Sequence, residues 1–343
     1  MGLHVIGLEQ VKREWDAFVG ASDVACLYHD ARWKEVIGET FGHRCHYLAA
    51  REACTLQGVL PLVEIRSLLF GRFLVSLPFV TYGGLAATSP QAASARAEAA
   101  VQLARQLGAS HVELRQRCDV PLSWPARRHK VGLTVRLPAQ LEDAWTALSS
   151  RLRGKIRKAR RSGAAFCVFG PEGAAGFYSV FCRNMRDLGT PVYPFRLFLN
   201  IGRRFGPAVR VFQVLLHGRP VAAAFGLQDR CVIRLPWICS DYRSAKTYVN
   251  EFLYWSVIEW ASRHGFTAVD LGRSTAGGGN YRFKKQFNAE EEPAPWYFWA
   301  PEGRRPRELS PDNPRFRWAI RLWSRLPLAV TNTVGPLLVR SLP

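Results

Sequence analysis

Acidic residues are scarce in this 343-residue chain. Twenty-seven Asp and Glu stand against 47 Lys and Arg, a formal net charge of +20. A surplus of that size implies an anionic partner such as nucleic acid, a phosphorylated cofactor or an anionic membrane surface. The alternative is an arginine-rich surface with no single target. Cysteine pairs are missing as well. The eight cysteines are scattered without a C-x-x-C spacing, which argues against zinc modules and a disulfide scaffold and fits a reducing compartment. The one metal-like cluster, His43-Arg44-Cys45-His46, has no companion at ligand spacing, so it reads as a loop-to-strand junction and no metal is expected. No run reaches 18 uninterrupted apolar residues; the best, Leu68 to Val80, carries Arg72 and Pro78 and is too short to span a bilayer. The opening residues lack a basic stretch followed by an apolar one, so no signal peptide is expected. Together these absences predict a cytoplasmic protein, soluble or peripheral at the inner face of the membrane.

What the chain does have is the same short phrase written twice. Ala104 to Leu114 reads ARQLGASHVEL and Ala261 to Leu271 reads ASRHGFTAVDL, an offset of 261 − 104 = 157 residues. Each copy predicts a helix stopped by a left-handed glycine, Gly108 or Gly265. A strand then follows, carrying a carboxylate, Glu113 or Asp270, near its end. Upstream, Gly58 and Gly218 each begin what reads as the second strand of a hairpin. A unit of hairpin, helix and strand therefore recurs at domain spacing, too long for a solenoid. With 48% hydrophobic residues the chain can bury two ordinary cores.

Strands interleaved with helices predict an α/β fold, and the hairpins make its sheets mixed. Residues 1–132 form a first domain, ending near a linker at Pro121 to Arg128. Residues 133–300 form a second, closed by a strand from Ala294 to Trp299. Residues 301–343 form a basic amphipathic tail. The second domain opens with Arg151 to Arg161, RLRGKIRKARR, seven basic residues in eleven. On a helix, Leu152 and Ile156 dock it, while Arg153, Arg157 and Arg160 form a guanidinium row suited to polyphosphate, RNA or a glycan-linked pyrophosphate; the alternative is a solvated basic face.

The densest chemistry follows the second copy of the phrase: Asp270, Arg273, Ser274, the run Gly277-Gly278-Gly279, Tyr281 and Lys284 leave the carboxyl end of a strand, where ligands of open α/β sheets sit. Asp270 and Arg273 read either as a charge-coupled pair that orients a nucleophile or as a structural ion pair. The glycines match neither G-x-x-x-x-G-K-[ST] nor G-x-G-x-x-G, and G-x-S-x-G is absent.

At these residues the chain resembles the FemAB-like branch of the N-acyltransferase superfamily, in particular members found beside PEP-CTERM and exopolysaccharide gene systems, and more distantly CelD-type acyltransferases. The family pattern is Asn, a Leu-rich helix, Gly, a strand ending F-D-F-G-R-S, a Gly-rich stretch and F-K. Asn250, Asp270, Gly272, Arg273, Ser274, Phe283 and Lys284 match it. The run Lys155 to Gly163 is similar to the family's basic opening of the second domain, and LGTP at Leu188 to Pro191 and the tail phrase from Trp323 match too. The resemblance implies tandem duplicated N-acyltransferase-like domains that move an acyl or aminoacyl group from acyl-CoA, an acyl carrier or aminoacyl-tRNA to an amine or hydroxyl of a cell-envelope or exopolysaccharide precursor. No covalently bound cofactor is implied.

Under that resemblance Asp270, or a water it holds, takes the acceptor's proton and Tyr242 or Tyr281 protonates the leaving group. Arg273, Ser274, Lys284, Asn250 and Trp237 bind substrate, and Lys155, Arg157 and Lys158 hold an anionic portion of it. Splayed strands at Val221 to Phe225 and Cys231 to Trp237 offer N–H groups to the oxyanion. The chain departs from the pattern at Phe287-Asn288, where Trp-Gly is expected. It also lacks the [RQ]-x-x-G-x-[GA] cradle of coenzyme-A users, having Arg243-Ser-Ala-Lys246 nearby, and it has no coiled-coil insertion of the kind some tRNA-using relatives carry. Glu113-Leu-Arg115 lacks the following G-R-S, so the first domain is expected to be structural or acceptor-binding.

In the tail, Arg317, Arg321 and Arg325 lie four apart, opposite Phe316, Ile320 and Trp323. That helix either lies on an anionic leaflet, through residues 315–340, or packs on the domains. A rival from another class is a non-catalytic RNA- or polysaccharide-binding protein on a decayed acyltransferase scaffold, supported by the charge and eleven tryptophans.

Overall fold

The computed structural model describes residues 4–53, 55–67, 70–302 and 317–342. Leu3, Cys54 and Phe316 lie outside the described residues, as does the side chain of Arg317. In chain order the elements are β1 (His4–Gly7), α1 (Leu8–Ala21), α2 (Trp33–Phe41), β2 (Arg44–Glu52), β3 (Thr55–Ser67), β4 (Gly71–Ser76), β5 (Ala86–Ala87), α3 (Pro90–Leu107), β6 (Val112–Arg115) and β7 (Ala126–Arg127). There follow β8 (Lys130–Arg136), α4 (Leu141–Thr146), α5 (Ser150–Arg161), β9 (Ala165–Phe169), α6 (Ala174–Asp187), α7 (Phe195–Phe205), β10 (Val209–Leu216), β11 (Arg219–Asp229), β12 (Val232–Ser240) and α8 (Val249–Arg263). The last are β13 (Ala268–Thr275), α9 (Gly279–Lys285), β14 (Glu290–Pro293), β15 (Trp296–Trp299), α10 (Arg317–Trp323) and α11 (Leu328–Val339).

The chain divides into two compact units, one holding the residues up to Val131 together with β15, the other holding Gly132–Glu291 together with α10 and α11. Each is built on one mixed sheet. The first runs β1-β2-β3-β4-β6-β15-β7, and the second, listed from its other end, β9-β10-β11-β12-β13-β8-β14. The two orders correspond strand for strand. In each, three antiparallel pairings are followed by a parallel one, β4 with β6 and β12 with β13. In each, the helix before the parallel strand ends at a left-handed glycine, Gly108 at φ 63° and Gly265 at φ 76°. The expected mixed α/β duplication is the observed fold.

The end of the second domain differs from the sequence expectation. Trp296–Trp299 does not close the second sheet; it pairs with β6, Phe298 opposite Glu113, and with β7. The reason lies in β6, whose outer edge would otherwise stand unpaired. Tyr297 drives its ring into the core beside Val112 and Leu114, and its hydroxyl donates to Asp119 Oδ1 at 3.0 Å. The boundary drawn at residue 300 therefore falls instead near Glu291.

One core position separates the halves. At the 157-residue offset, Leu253 is fully buried among apolar neighbours of α8, and its counterpart on α3 is Arg96, equally buried. The Arg96 guanidinium lies against Gly58, where any Cβ would collide with it, and none of its three nitrogens has a hydrogen-bond partner among the described residues. Burial alone pushes its pKa down to about 9. A buried cation without a counter-charge is a cost to folding. Arg96→Met, which keeps the stem and removes the charge, is expected to raise the unfolding free energy by about 1–4 kcal/mol, read from urea melts; a loss of stability would mean that the guanidinium is compensated.

Candidate functional site

The second sheet opens where β12 and β13 part. Their parallel pairing covers only Val232–Arg234 against Ala268–Asp270, although β12 continues to Ser240 and β13 to Thr275. Two local features produce the divergence. Gly272 takes φ 74° inside β13, a conformation side chains avoid, and bends the strand just after Asp270. On the other side of β12, Gly226 faces the two residues Leu235 and Pro236, a bulge between the pairs Phe225–Trp237 and Leu227–Arg234. A Cβ on Gly226 would come within 3.0 Å of Leu235 Cδ2, and Pro236, which has no N–H to give the ladder, is tolerated at such a bulge.

At the base of this opening lies a buried ionic group. Arg234 donates through Nε to Asp229 Oδ2 at 2.6 Å and through Nη1 to Asp270 Oδ2 at 2.9 Å. The other Asp270 oxygen accepts from the Gly272 N–H at 2.8 Å, so the carboxylate pins the bend itself. Lys284, reaching in from α9, donates to the carbonyls of Gly272 at 3.4 Å and Arg273 at 3.2 Å. Ser274, beyond the bend, is buried, and its hydroxyl has no hydrogen-bond partner among the described residues. Arg234 and Asp229 were not singled out in the sequence. A signal was present: an arginine inside the apolar strand Cys231 to Ile238 needs a buried partner.

The sequence expectation for Asp270 changes accordingly. Its ion-pair partner is Arg234 on the neighbouring strand, not Arg273, and each of its oxygens accepts a hydrogen bond. The splay expected between Val221 to Phe225 and Cys231 to Trp237 is also relocated. Those strands stay paired from Ala222–Ser240 to Asp229–Val232 apart from the bulge, and the gap lies between β12 and β13.

The remaining candidates scatter. Trp237 is buried against Phe198 and Phe225, with ring centroids 5.2 and 5.9 Å away. Tyr242 is 80% exposed. The Tyr281 hydroxyl donates to Glu291 at 2.5 Å, a contact that raises its pKa and occupies its proton. Asn250 sits half-buried in the first turn of α8.

The basic helix α5 docks through Leu152 and Ile156, as its sequence predicts, and also through Ala159. Lys155 pairs with Glu251 at 3.0 Å, and Lys155 and Lys158 both lie over the Tyr248 ring, at 5.5 and 5.3 Å. Arg157 lies 5.4 Å over Trp145. Tyr248 immediately precedes α8 at φ 58°. Because α8 leads back from the carboxyl end of β12, its N-terminus lies at the open end of the sheet, where a helix dipole and nearby lysines favour an anion.

Among the described residues the first unit lacks the ionic group. Its repeat carboxylate, Glu113, stands opposite Val75 and pairs with Arg115 on its own strand at 2.6 Å.

Residues 147–285, which contain the gap, match the family model described as an acetyltransferase (GNAT) domain. Over 86% of the chain the fold superposes on 96% of the crystal structure of FemX, with a TM-score of 0.64 at 14% identity. It also superposes on a domain assigned as the C-terminal part of a lysylphosphatidylglycerol synthetase from Agrobacterium fabrum (TM-score 0.55, 13% identity, 84% of this chain and 92% of that one). A third similar structure is a tandem GNAT protein from the clavulanic acid biosynthesis pathway (TM-score 0.52, 12% identity, 87% of this chain and 98% of that one). No curated protein sequence matches the chain. The architecture is thus a tandem pair of GNAT-like domains, with the family match in the second. Similarity to FemX across the chain agrees with the FemAB-like resemblance at the level of fold.

Burial, opposed in part by Asp270, pushes the Lys284 pKa down from 10.5 to about 8. Between those values the unfolded chain binds a proton that the folded chain does not. The stability deficit of wild type attributable to this charge is full below pH 8 and shrinks as pH rises to 10.5. Urea unfolding of wild type and Lys284→Met is expected to differ in slope by up to about 1.4 kcal/mol per pH unit across that window; parallel curves would place the amine in water.

Proposed function

We propose that the chain is an acyl- or aminoacyltransferase whose transfer site is the opening between β12 and β13. The observation that carries this reading is the early end of the β12–β13 pairing above the Asp229–Arg234–Asp270 group, inside the stretch that matches the GNAT domain model. In the proposed step an acceptor amine or hydroxyl attacks the carbonyl of a thioester or ester donor. The new C–N or C–O bond forms, the donor C–S or C–O bond breaks, the acceptor's proton leaves to water and the leaving group is protonated. Backbone N–H groups freed where the strands part would face the developing oxyanion.

Asp270 and Lys284 act by holding the bent end of β13 in place, and Ser274 Oγ is the unsatisfied buried group available to contact the reacting atoms. The donor's anionic portion would lie at the start of α8, with Lys155 and Lys158 beside it and Arg157, between them in sequence, over Trp145. The donor set is acyl-CoA, acyl carriers and aminoacyl-tRNA; a side chain at Tyr248 and the missing glycines remove the usual backbone cradle for a pyrophosphate, which counts against acyl-CoA within it. The acceptor proposed is a cell-envelope or exopolysaccharide precursor. An acceptor-binding role for the first unit is supported by a groove of about 630 Å³ lined by Glu98, Gln102, Arg105, Trp124 and Trp299.

Mass spectrometry of reactions containing each donor class with amine- or hydroxyl-bearing glycan precursors tests the reading. One donor class is expected to yield an acylated acceptor, with the rate at least about tenfold lower in folded Asp270→Asn. If no donor is consumed, while RNA or polysaccharide binds wild type and Asp270→Asn equally, the chain is a binding protein.

A further inference from the structure

The C-terminal helix α11 is uncharged and largely apolar, yet buried on only one side. Leu328–Val339 contains no charged residue, and its inner stripe, Thr331, Gly335 and Val339, is buried as the helix packs against α6. Gly335 makes that approach possible: a Cβ there would come within 2.9 Å of the Val192 nitrogen. The opposite stripe, Val330, Val334, Leu337 and Leu338, recurs at helical spacing and faces outward, Leu337 being 70% exposed. In α10, Ile320 packs on Gly189, while Trp318, also 70% exposed, and Leu322 face outward one turn apart. A contiguous exposed apolar patch marks an interaction surface.

Charge identifies the occupant. From Arg317 to Pro343 the chain has four arginines and no acidic residue, and Arg321 and Arg325 are exposed beside the outward Trp318 and Leu322. Two copies of such a surface would repel each other, whereas an anionic lipid leaflet complements both features: apolar side chains enter the headgroup boundary and the arginines meet lipid phosphates. Spanning is excluded for these elements, since no helix among the described residues is long and apolar enough to cross a membrane.

We propose that α10 and α11 form a membrane-docking surface that lays the second unit on an anionic bilayer through Trp318, Leu322, Val330, Val334, Leu337 and Leu338. The assignment is independent of the chemistry between β12 and β13. The test is flotation of the full chain with phosphatidylcholine vesicles, with and without phosphatidylglycerol. Wild type is expected to float with the phosphatidylglycerol vesicles and to be released by high salt. Leu337→Asp/Leu338→Asp, at exposed positions that leave the inner stripe intact, is expected to lower the bound fraction about tenfold with an unchanged thermal melt. Arg321→Glu and Arg325→Glu are each expected to weaken binding roughly fivefold. Wild type that stays at the bottom of the gradient, or an aspartate variant that floats as well as wild type, overturns the proposal. So does a wild type that sediments as a dimer and becomes monomeric in the aspartate variant, since the patch would then be a contact between two copies of this chain.

Discussion

Arg234, shared between Asp229 and Asp270, is the interaction on which the second half of this molecule depends. Its two carboxylate partners are nearly as buried as it is, so removing Arg234 leaves two carboxylates away from water without their cation. Such a group is a poor source of net stability compared with well-packed apolar residues. Its value here is positional. Asp270 uses one oxygen for Arg234 and the other for the Gly272 N–H, so the ion pair and the strand bend are parts of one structure. Lys284 adds a second anchor on the carbonyls just after the bend. The opening between β12 and β13 is therefore built into the core rather than left to a loop.

The two units show how a duplicated scaffold diverges without losing its topology. The sheet order, the sense of each pairing and the left-handed glycine before the parallel strand are common to both. The chemistry is not. Where the second unit has Arg234 opposite Asp270, the first has Val75 opposite Glu113. Where the second has Leu253 in its helical core, the first has Arg96, without a hydrogen-bond partner among the described residues. A transfer site in the second unit alone follows from these differences under the proposed function.

Much of this architecture was readable from the chain because its determinants are local. A glycine that stops a helix and an alternating strand that follows it leave a mark within eleven residues, and two such marks revealed the duplication. The docking of α5 by Leu152 and Ile156 was equally local. The partner of Asp270 was not readable: Arg234 lies 36 residues away in sequence and meets it only through the register of two parallel strands. Arg273, three residues from Asp270, was the nearer cation in sequence but not in space. The destination of Trp296–Trp299 was hidden for a related reason. An aromatic, β-prone segment announces a strand but not which sheet edge it will cover. Tyr242 and Tyr281 could be chosen by chemistry, whereas the exposure of one and the Glu291 bond of the other are tertiary facts.

The most direct measurement is a double-mutant cycle on Arg234→Met and Asp270→Asn, read in both unfolding free energy and rate of acyl transfer. The account predicts a coupling of about 1–3 kcal/mol in stability and transfer rates in which the double variant is no slower than the worse single one. Effects that add independently in both readouts would show that the ion pair does not hold the site.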